Sequence, residues 1–328
     1  MNTSRAMYGR LRPSVTRSQE RKEMNCSHYV LVTAARDEEE YIAETIRSVI
    51  SQTVLPAQWV IVSDGSIDRT DEIVKQFAAQ FDFIRLLRID TQGKPTYASK
   101  ARAIRQGYEQ VRSIPHDYVG ILDADVTFGS NYYESVLKRF DEDSRLGLAG
   151  GILFDRRGTK YVRQLTTMEW SVSGPIQMFR RQCFEDIGGY LPVRAGVDAV
   201  AEVMSRMHGW VVRSFPHPEM LVLHHRDTAS RGSGLVKRFF RSGQQSYRLG
   251  YHFLFLLGRC LNRAVHRPYV LGSVLSLCGY CWSWMTRSAR EVPPEFVAYL
   301  RAEQLGRIRS ALGGALAGGM IHQQERSN

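Results

Sequence analysis

Short apolar runs alternate with helical stripes through roughly the first two-thirds of the chain. Residues 29–33, Tyr-Val-Leu-Val-Thr, predict a buried strand. Residues 40–51 then put Tyr41, Ile42, Thr45, Ile46, Val49 and Ile50 on one helical face. The pair recurs, with a strand over 59–62 and a helix over 71–81, then a strand over 84–89 and a helix over 97–111. A fourth strand is expected over 118–122 and further ones over 147–154 and 221–223. Such alternation predicts an α/β fold, a mostly parallel sheet flanked by helices.

Right-handed crossovers put the carboxyl ends of parallel strands on one rim, where open α/β sheets bind ligands. Three polar clusters leave the predicted strands there: Ala34-Ala35-Arg36-Asp37-Glu38, Ser63-Asp64-Gly65-Ser66-Ile67-Asp68 and Asp123-Ala124-Asp125. Asp123 and Asp125 repel one another unless a cation lies between them. A hard divalent ion holding a diphosphate suits that position. Asp64 can accept a hydrogen bond from a ring N–H of a pyrimidine base. Lys94, Lys100 and Arg102 follow the third strand, where cations could neutralise a diphosphate.

Composition narrows the picture. The 328 residues suffice for one large or two modest domains. A formal charge of +11 favours anionic partners without choosing among them. Cysteines at 26, 183, 260, 278 and 281 form no disulfide framework. Cys278 and Cys281 have C-x-x-C spacing but lack a second Cys/His pair for zinc. Residues 1–27 are rich in Arg, Ser and Thr, carry no apolar core of signal-peptide length, and read as a disordered basic tail.

Taken in order, these motifs resemble glycosyltransferase family 2 over residues 29–226. The family's Pro-x-x-Asn-Glu-Glu stands here as Ala34-Ala35-Arg36-Asp37-Glu38-Glu39, and its Asp-Asp-Gly-Ser-x-Asp-x-Thr as Ser63-Asp64-Gly65-Ser66-Ile67-Asp68-Arg69-Thr70. Gly93-Lys94 and Ala101-Arg102 match donor-side positions, and Asp123-Ala124-Asp125 matches the metal and diphosphate motif unchanged. The resemblance implies a GT-A (Rossmann-like) fold over residues 28–230 and an inverting, metal-dependent transferase using a nucleotide-sugar donor, UDP-linked. It implies donor contacts from Ala35, Arg36, Glu38, Asp64, Lys94, Arg102 and Asp123. Asp125 and Asp123 would hold Mg²⁺ or Mn²⁺. A histidine after the last strand also approaches the metal in many members; His224 or His225 could serve, and His225 is preferred.

The acceptor side follows from the same resemblance. Ile187-Gly188-Gly189-Tyr190 matches a Gly-Gly-aromatic turn, which makes Gly189 and Tyr190 acceptor-side candidates. Asp198 and Gly209 keep the family's eleven-residue spacing after the general base, although Val197 replaces the usual Glu. Asp198 is therefore the expected base. Glu202, one helical turn on, is a second carboxylate candidate. The segment 166–181, with Trp170 and Phe179, could wall an acceptor pocket or simply pack in the core.

Beyond residue 230 the composition turns basic and apolar. Residues 231–310 read as a helical extension and 311–328 as a flexible tail. The nineteen residues 268–286 carry no charge and include Trp282 and Trp284. Their glycines and serines favour a re-entrant or interfacial helix over a span, with burial against the catalytic domain or in a homo-oligomer as the alternative. Basic and aromatic residues together suit an anionic membrane surface, placing the chain peripherally at its cytoplasmic face. Gln245-Ser246-Tyr247-Arg248-Leu249 resembles the Gln-x-x-Arg-Trp motif of processive synthases without its Trp, which argues for non-processive transfer to a lipid-linked or polysaccharide acceptor. Two competing functions fit less well. A nucleotidyltransferase would need a glycine-rich phosphate loop after the first strand, and a nucleic-acid-binding protein would show a recognisable binding motif.

Overall fold

The computed structural model describes residues 28–90, 97–164, 169–194, 196–226, 234–263 and 270–324. Lys94 and the 1–27 segment lie outside the described residues. The first two-thirds of the chain runs β1 (Tyr29–Ala35), α1 (Ile42–Ile50), β2 (Gln58–Asp64), α2 (Thr70–Ala78), β3 (Ile84–Ile89), α3 (Tyr97–Val111), β4 (Tyr118–Leu122), β5 (Val126–Phe128) and α4 (Tyr132–Glu142). It continues through β6 (Leu146–Gly150), β7 (Ile152–Arg157), β8 (Lys160–Arg163), β9 (Ile176–Arg180), α5 (Arg181–Asp186), α6 (Val197–Met207), β10 (Val211–Ser214) and β11 (Leu221–His224). Four helices follow: α7 (Leu235–Arg248), α8 (Phe253–Arg263), α9 (Val270–Met285) and α10 (Pro294–Gln324).

Among the described residues the strands form two sheets. The larger has seven strands in the order β10-β6-β9-β4-β1-β2-β3. It is parallel except for β9, which runs antiparallel between β4 and β6. Its central strands are apolar at successive positions because both faces are covered. Val30, Val32, Val60 and Val62 face a core that includes Ala101 and Ile104 of α3. Tyr29, Leu31, Trp59 and Ile61 face the opposite core, with Ile42 and Ile46 of α1. Gly107 lets α3 come down onto β1 and β2, since a Cβ there would lie 2.6 Å from Val32 and 2.8 Å from Val62.

The second sheet is small, in the order β5-β11-β7-β8, and stands beside the end of β4. Its registers decide the site. β11 pairs with β7 so that His224 lies opposite Asp155, and with β5 so that His224 lies opposite Val126, next to Asp125.

Two expectations change here, and one open alternative is decided. The run 147–154, read as one strand, divides at Gly151 into β6 and β7 in different sheets. A Cβ at Gly151 would stand 1.8 Å from the Met220 carbonyl oxygen, so the chain crosses between sheets where only glycine fits. The segment 166–181 contains strand β9, with Phe179 fully buried in the core and Trp170 exposed. The final helix continues to Gln324, past residue 310 where the helical extension was expected to end, through a stretch with alanines at 311, 315 and 317 and no proline. Its first turns are part of the main core, for Phe296 and Leu300 pack in the cluster that holds Val197 and Val200 of α6.

Gly151→Ala should cost about 2–3 kcal/mol through forced overpacking. Gly129→Ala, at a glycine with nothing within 4 Å of its added Cβ, is the control and should be close to neutral. Chemical denaturation midpoints for the two variants check this; equal midpoints would remove the argument for close approach at Gly151.

Candidate active site

The loops leaving β1 and β2 are stitched together by hydrogen bonds. Glu38 N donates to Thr70 Oγ1 at 2.7 Å, and Glu39 N to an Asp68 carboxylate oxygen at 2.9 Å. Ile67 N donates back to Asp37 Oδ1 at 2.9 Å. Asp37 has φ of 54°, a left-handed conformation that Asp and Asn tolerate best among non-glycine residues. The substitution of Asp for the expected Asn therefore keeps both the turn and the acceptor. Ala35 and Asp64 are buried at their strand ends, Arg36 is half-buried, and Gly65 turns the chain away with φ of 67°.

Asp123 and Asp125 follow β4, flanking a short turn whose middle carbonyl, that of Ala124, accepts from Thr45 Oγ1 at 2.8 Å. The two acids part company at this point. Asp123 receives Lys100 Nζ at 2.5 Å, from the first turn of α3. Asp125 is nearly buried and receives His224 Nε2 at 3.3 Å and Arg226 Nε at 2.9 Å. The same guanidinium bonds Glu38. Three acids, Glu38, Asp123 and Asp125, thus meet three basic side chains at the rim.

Protonation follows from these contacts. Burial and the neighbouring Asp125 push the Glu38 carboxyl up to about 8, against the opposing pull of Arg226. Burial alone would raise Asp125, but His224 and Arg226 hold it well below the usual carboxylate range. Burial disfavours a charged His224, yet its bonds to Asp125 and Asp155 outweigh that and lift it to about 9. Asp155 Oδ1 lies 2.9 Å from His224 Nδ1, so the ring is held from behind while Nε2 faces Asp125.

The histidine beside Asp125 is therefore His224, whereas His225 was expected. Strand side chains alternate, and Val222 and His224 share the inward face of β11. His225 turns the other way. Its Nε2 lies 2.7 Å from Thr127 Oγ1 and its Nδ1 2.7 Å from the Tyr161 hydroxyl, and the ring stacks on Tyr41. Both nitrogens are engaged away from the acids.

Arg102, expected at the donor, lies on the exposed face of α3, and the cation that reaches the acid pair is Lys100. Helix geometry separates them, since residues two apart point to different sides.

Asp198 sits in the first turn of α6, preceded by Gly196 with φ of 74°. Gly174 abuts it so closely that a Cβ would meet Asp198 Oδ2 at 2.5 Å. Burial disfavours a charged Lys100, but its contact with Asp123 and the charges of Asp198 and Asp125 raise it above its ordinary value. Glu202 points inward instead of toward an acceptor. It accepts from Ser171 Oγ at 3.1 Å and Val172 N at 3.0 Å, and burial pushes it up to about 8. Tyr190 is likewise a core residue whose hydroxyl donates to Gln177 Oε1, while Gly189, with φ of 72°, packs over Phe184. Neither Glu202 nor Tyr190 offers a free group to a ligand.

Asp155 and Arg226 were not singled out from the sequence. Arg226 stands directly after the His-His pair, and its position there is the only local signal. Asp155 carries none, because its contact with His224 depends on the β7–β11 register.

Comparison with known proteins agrees with this architecture. The family model described as Glycosyl transferase family 2 matches residues 30–199. A poly-beta-1,6-N-acetyl-D-glucosamine synthase of Staphylococcus aureus (strain COL) is 25% identical over 173 residues, 47% of this chain and 40% of the synthase. The chain thus matches well under half the length of that relative. A mannosyltransferase of Pyrobaculum calidifontis, PcManGT, solved with GDP-Man and Mn²⁺, superposes with a TM-score of 0.53 at 16% identity, over 88% of this chain and 80% of that one. TarS residues 1–349 of S. aureus, solved with UDP, gives 0.50 at 13% identity, over 66% of this chain and 63% of that one. These likenesses establish the GT-A type of fold.

The Glu202 carboxyl keeps its proton in the folded chain up to about 8 and releases it near 4.5 when unfolded. Folding then takes up a proton between those values, so the wild type loses stability as pH rises through that window. Glu202→Gln keeps a carbonyl oxygen for Ser171 and Val172 and has no such proton. Its stability relative to wild type should climb from about pH 5 to 8 and level off above, by urea denaturation across a pH series. A pH-independent difference would contradict the buried, protonated carboxyl.

Proposed function

The chain belongs to glycosyl transferase family 2, and from that premise we propose that it transfers a sugar from a UDP-linked donor to a hydroxyl of a lipid-linked or polysaccharide acceptor, with inversion and one sugar per encounter. The observation that carries this reading is the shared rim. Asp123 and Asp125 stand at the end of β4, with Lys100 paired to Asp123, and Asp198 stands at the start of α6.

Asp64, at the end of β2, supports recognition of the base, and Ala35, Arg36 and Glu38 line the β1 side of the donor. Lys100 replaces Arg102 as the cation available to a diphosphate on the described part of α3. Lys94 keeps its donor-side role as an expectation from sequence.

Asp125 and Asp123 offer carboxylate oxygens that suit Mn²⁺ or Mg²⁺, and His224, which shares a proton with Asp125 through Nε2, would add a ring nitrogen only on losing that proton. Among the described residues no three His, Cys, Asp or Glu side chains are grouped to hold an ion by themselves. A cation held here would take its remaining ligands from the donor. Such an ion, when bound, stabilises charge on the leaving nucleoside diphosphate. His224 is held for the task by Asp155, and the Arg226 guanidinium adds positive charge beside Asp125.

Asp198 accepts the proton of the acceptor hydroxyl as that oxygen attacks the anomeric carbon from the face opposite the diphosphate. One displacement inverts the configuration. Gly174 fixes the carboxylate from one side, since no larger residue fits against it. Glu202, committed to Ser171 and Val172, maintains the wall behind the base and takes no proton from the acceptor. A lipid-linked acceptor places this reaction at the cytoplasmic face of an anionic membrane.

Asp198→Asn keeps the shape of the side chain and removes its basicity. Transfer should fall by roughly two to four powers of ten, the usual worth of a general base, with donor affinity little changed. Glu202→Gln should still turn over. Rates of nucleoside-diphosphate release with acceptor, set beside calorimetry with the donor, read both halves. An active Asp198→Asn together with an inactive Glu202→Gln would move the base one helical turn along α6.

A further inference from the structure

Helix α9 is built inside out. The side it buries against α7 and α8 carries Gly272, Ser273, Ser276, Gly279 and Ser283, with Tyr280 as its one large residue. Its outward side carries Val270, Leu271, Val274, Trp282, Trp284 and Met285, with Trp284 66% and Met285 70% exposed. A helix that packs on a soluble core does the reverse.

The α7–α9 contact is made by backbones in place of apolar side chains. A Cβ on Gly243 would lie 1.8 Å from the Ser276 carbonyl oxygen, and one on Gly279 would lie 2.0 Å from that of Phe240. Ser276 Oγ hydrogen-bonds Phe239 O at 3.2 Å across the pair. Gly272 and Ser276, and again Gly279 and Ser283, are spaced four apart, the small-residue packing that helices use where lipid covers their other sides. α8 extends the apolar surface, with Phe253, Leu254 and Leu261 exposed.

Charge selects the occupant. Residues 228–290 contain ten Arg and Lys and no Asp or Glu. Lys237, Arg238, Arg241 and Arg287 lie exposed around the apolar face. A second copy of the chain on this face would bring two acid-free, cationic surfaces together. Spanning is excluded for the described helices, since none is long and apolar enough to cross a membrane. α9, with 16 residues, is about 24 Å long against a hydrocarbon core of about 30 Å. We propose that α7, α8 and α9 form a plate that lies on an anionic phospholipid bilayer, with the outward side of α9 in the acyl boundary and the surrounding Arg and Lys among the headgroups.

The plate is joined to the chemistry. Gln245 and Leu249, near the end of α7, contact Gly196, two residues before Asp198. Docking therefore holds the acceptor side of the site near the membrane. Only this last step rests on the proposed transfer reaction; the docking face stands without it.

Flotation of the full chain with phosphatidylcholine vesicles, with and without phosphatidylglycerol, tests the plate. The wild type should float with the mixed vesicles and stay behind with phosphatidylcholine alone. Trp282→Ser/Trp284→Ser removes two exposed rings, leaves the packed side of α9 intact, and should weaken partition by roughly tenfold or more. Its turnover with a water-soluble acceptor should match wild type, which separates a failure of docking from a failure of the transfer reading. Cys278 and Cys281 are exposed on α9 and report the face directly. Their maleimide labelling, read by peptide mass, should slow when mixed vesicles are added. Flotation that survives the double substitution, or thiols that stay reactive on floated protein, would overturn the assignment. So would a dimer that the double substitution dissociates without any vesicle binding.

Discussion

Everything at the rim depends on the crowding of three carboxyl groups drawn together by the fold, which together with burial keeps the proton on Glu38 up to about 8. Glu38 arrives on the loop after β1, and Asp123 and Asp125 on the turn after β4. Close packing of like charges in a half-buried corner is unfavourable unless basic groups answer them. Lys100 does so from α3, and His224 and Arg226 from the end of β11 and the two residues beyond it. The arrangement disfavours loss of any one partner, because a buried charge without its counter-charge costs several kcal/mol, about 3–5. The same arrangement is suited to a ligand that combines a cation with negatively charged oxygens.

The two sheets exist to deliver these groups. Parallel strands β1, β2 and β4 bring Ala35, Asp64 and Asp123 to one rim. The second sheet closes over it and carries His224 and Asp155 in facing register. Gly151 marks the crossing between them and Gly174 the approach to Asp198, two places where backbone or carboxylate occupies the space of a side chain. The last helix and the turn before it then complete the core, since Val292, Phe296 and Leu300 pack in the cluster that supports α6.

Much of this was legible in the sequence because it is periodic and local. Continuous apolar runs marked β1 to β4, and the helical stripes marked α1 to α3. The loops after β1, β2 and β4 followed from where those runs stop. What the sequence hid depends on long-range geometry. His225 was favoured over His224, although strand parity from Val222 selects His224 for the inward face. Asp155 became visible only through strand register, and Arg226 only through its contacts with Asp125 and Glu38. Glu202 and Tyr190 read as accessible polar groups, but burial is a property of packing, and both serve the interior. The antiparallel insertion of β9 was concealed because apolar strand and apolar wall look alike in a single sequence.

If Asp125 holds the donor through a divalent cation shared with the diphosphate, nucleotide binding and metal binding must be linked. Titration calorimetry of UDP into the full-length chain, with Mn²⁺ and then with excess chelator, measures that linkage directly. The predicted result is binding in Mn²⁺ that weakens by roughly tenfold or more in chelator, with the same loss in Asp125→Asn at saturating Mn²⁺. Equal affinity in Mn²⁺ and chelator, with Asp125→Asn indistinguishable from wild type, would contradict it and leave Lys100 and Arg226 as the groups that receive the diphosphate.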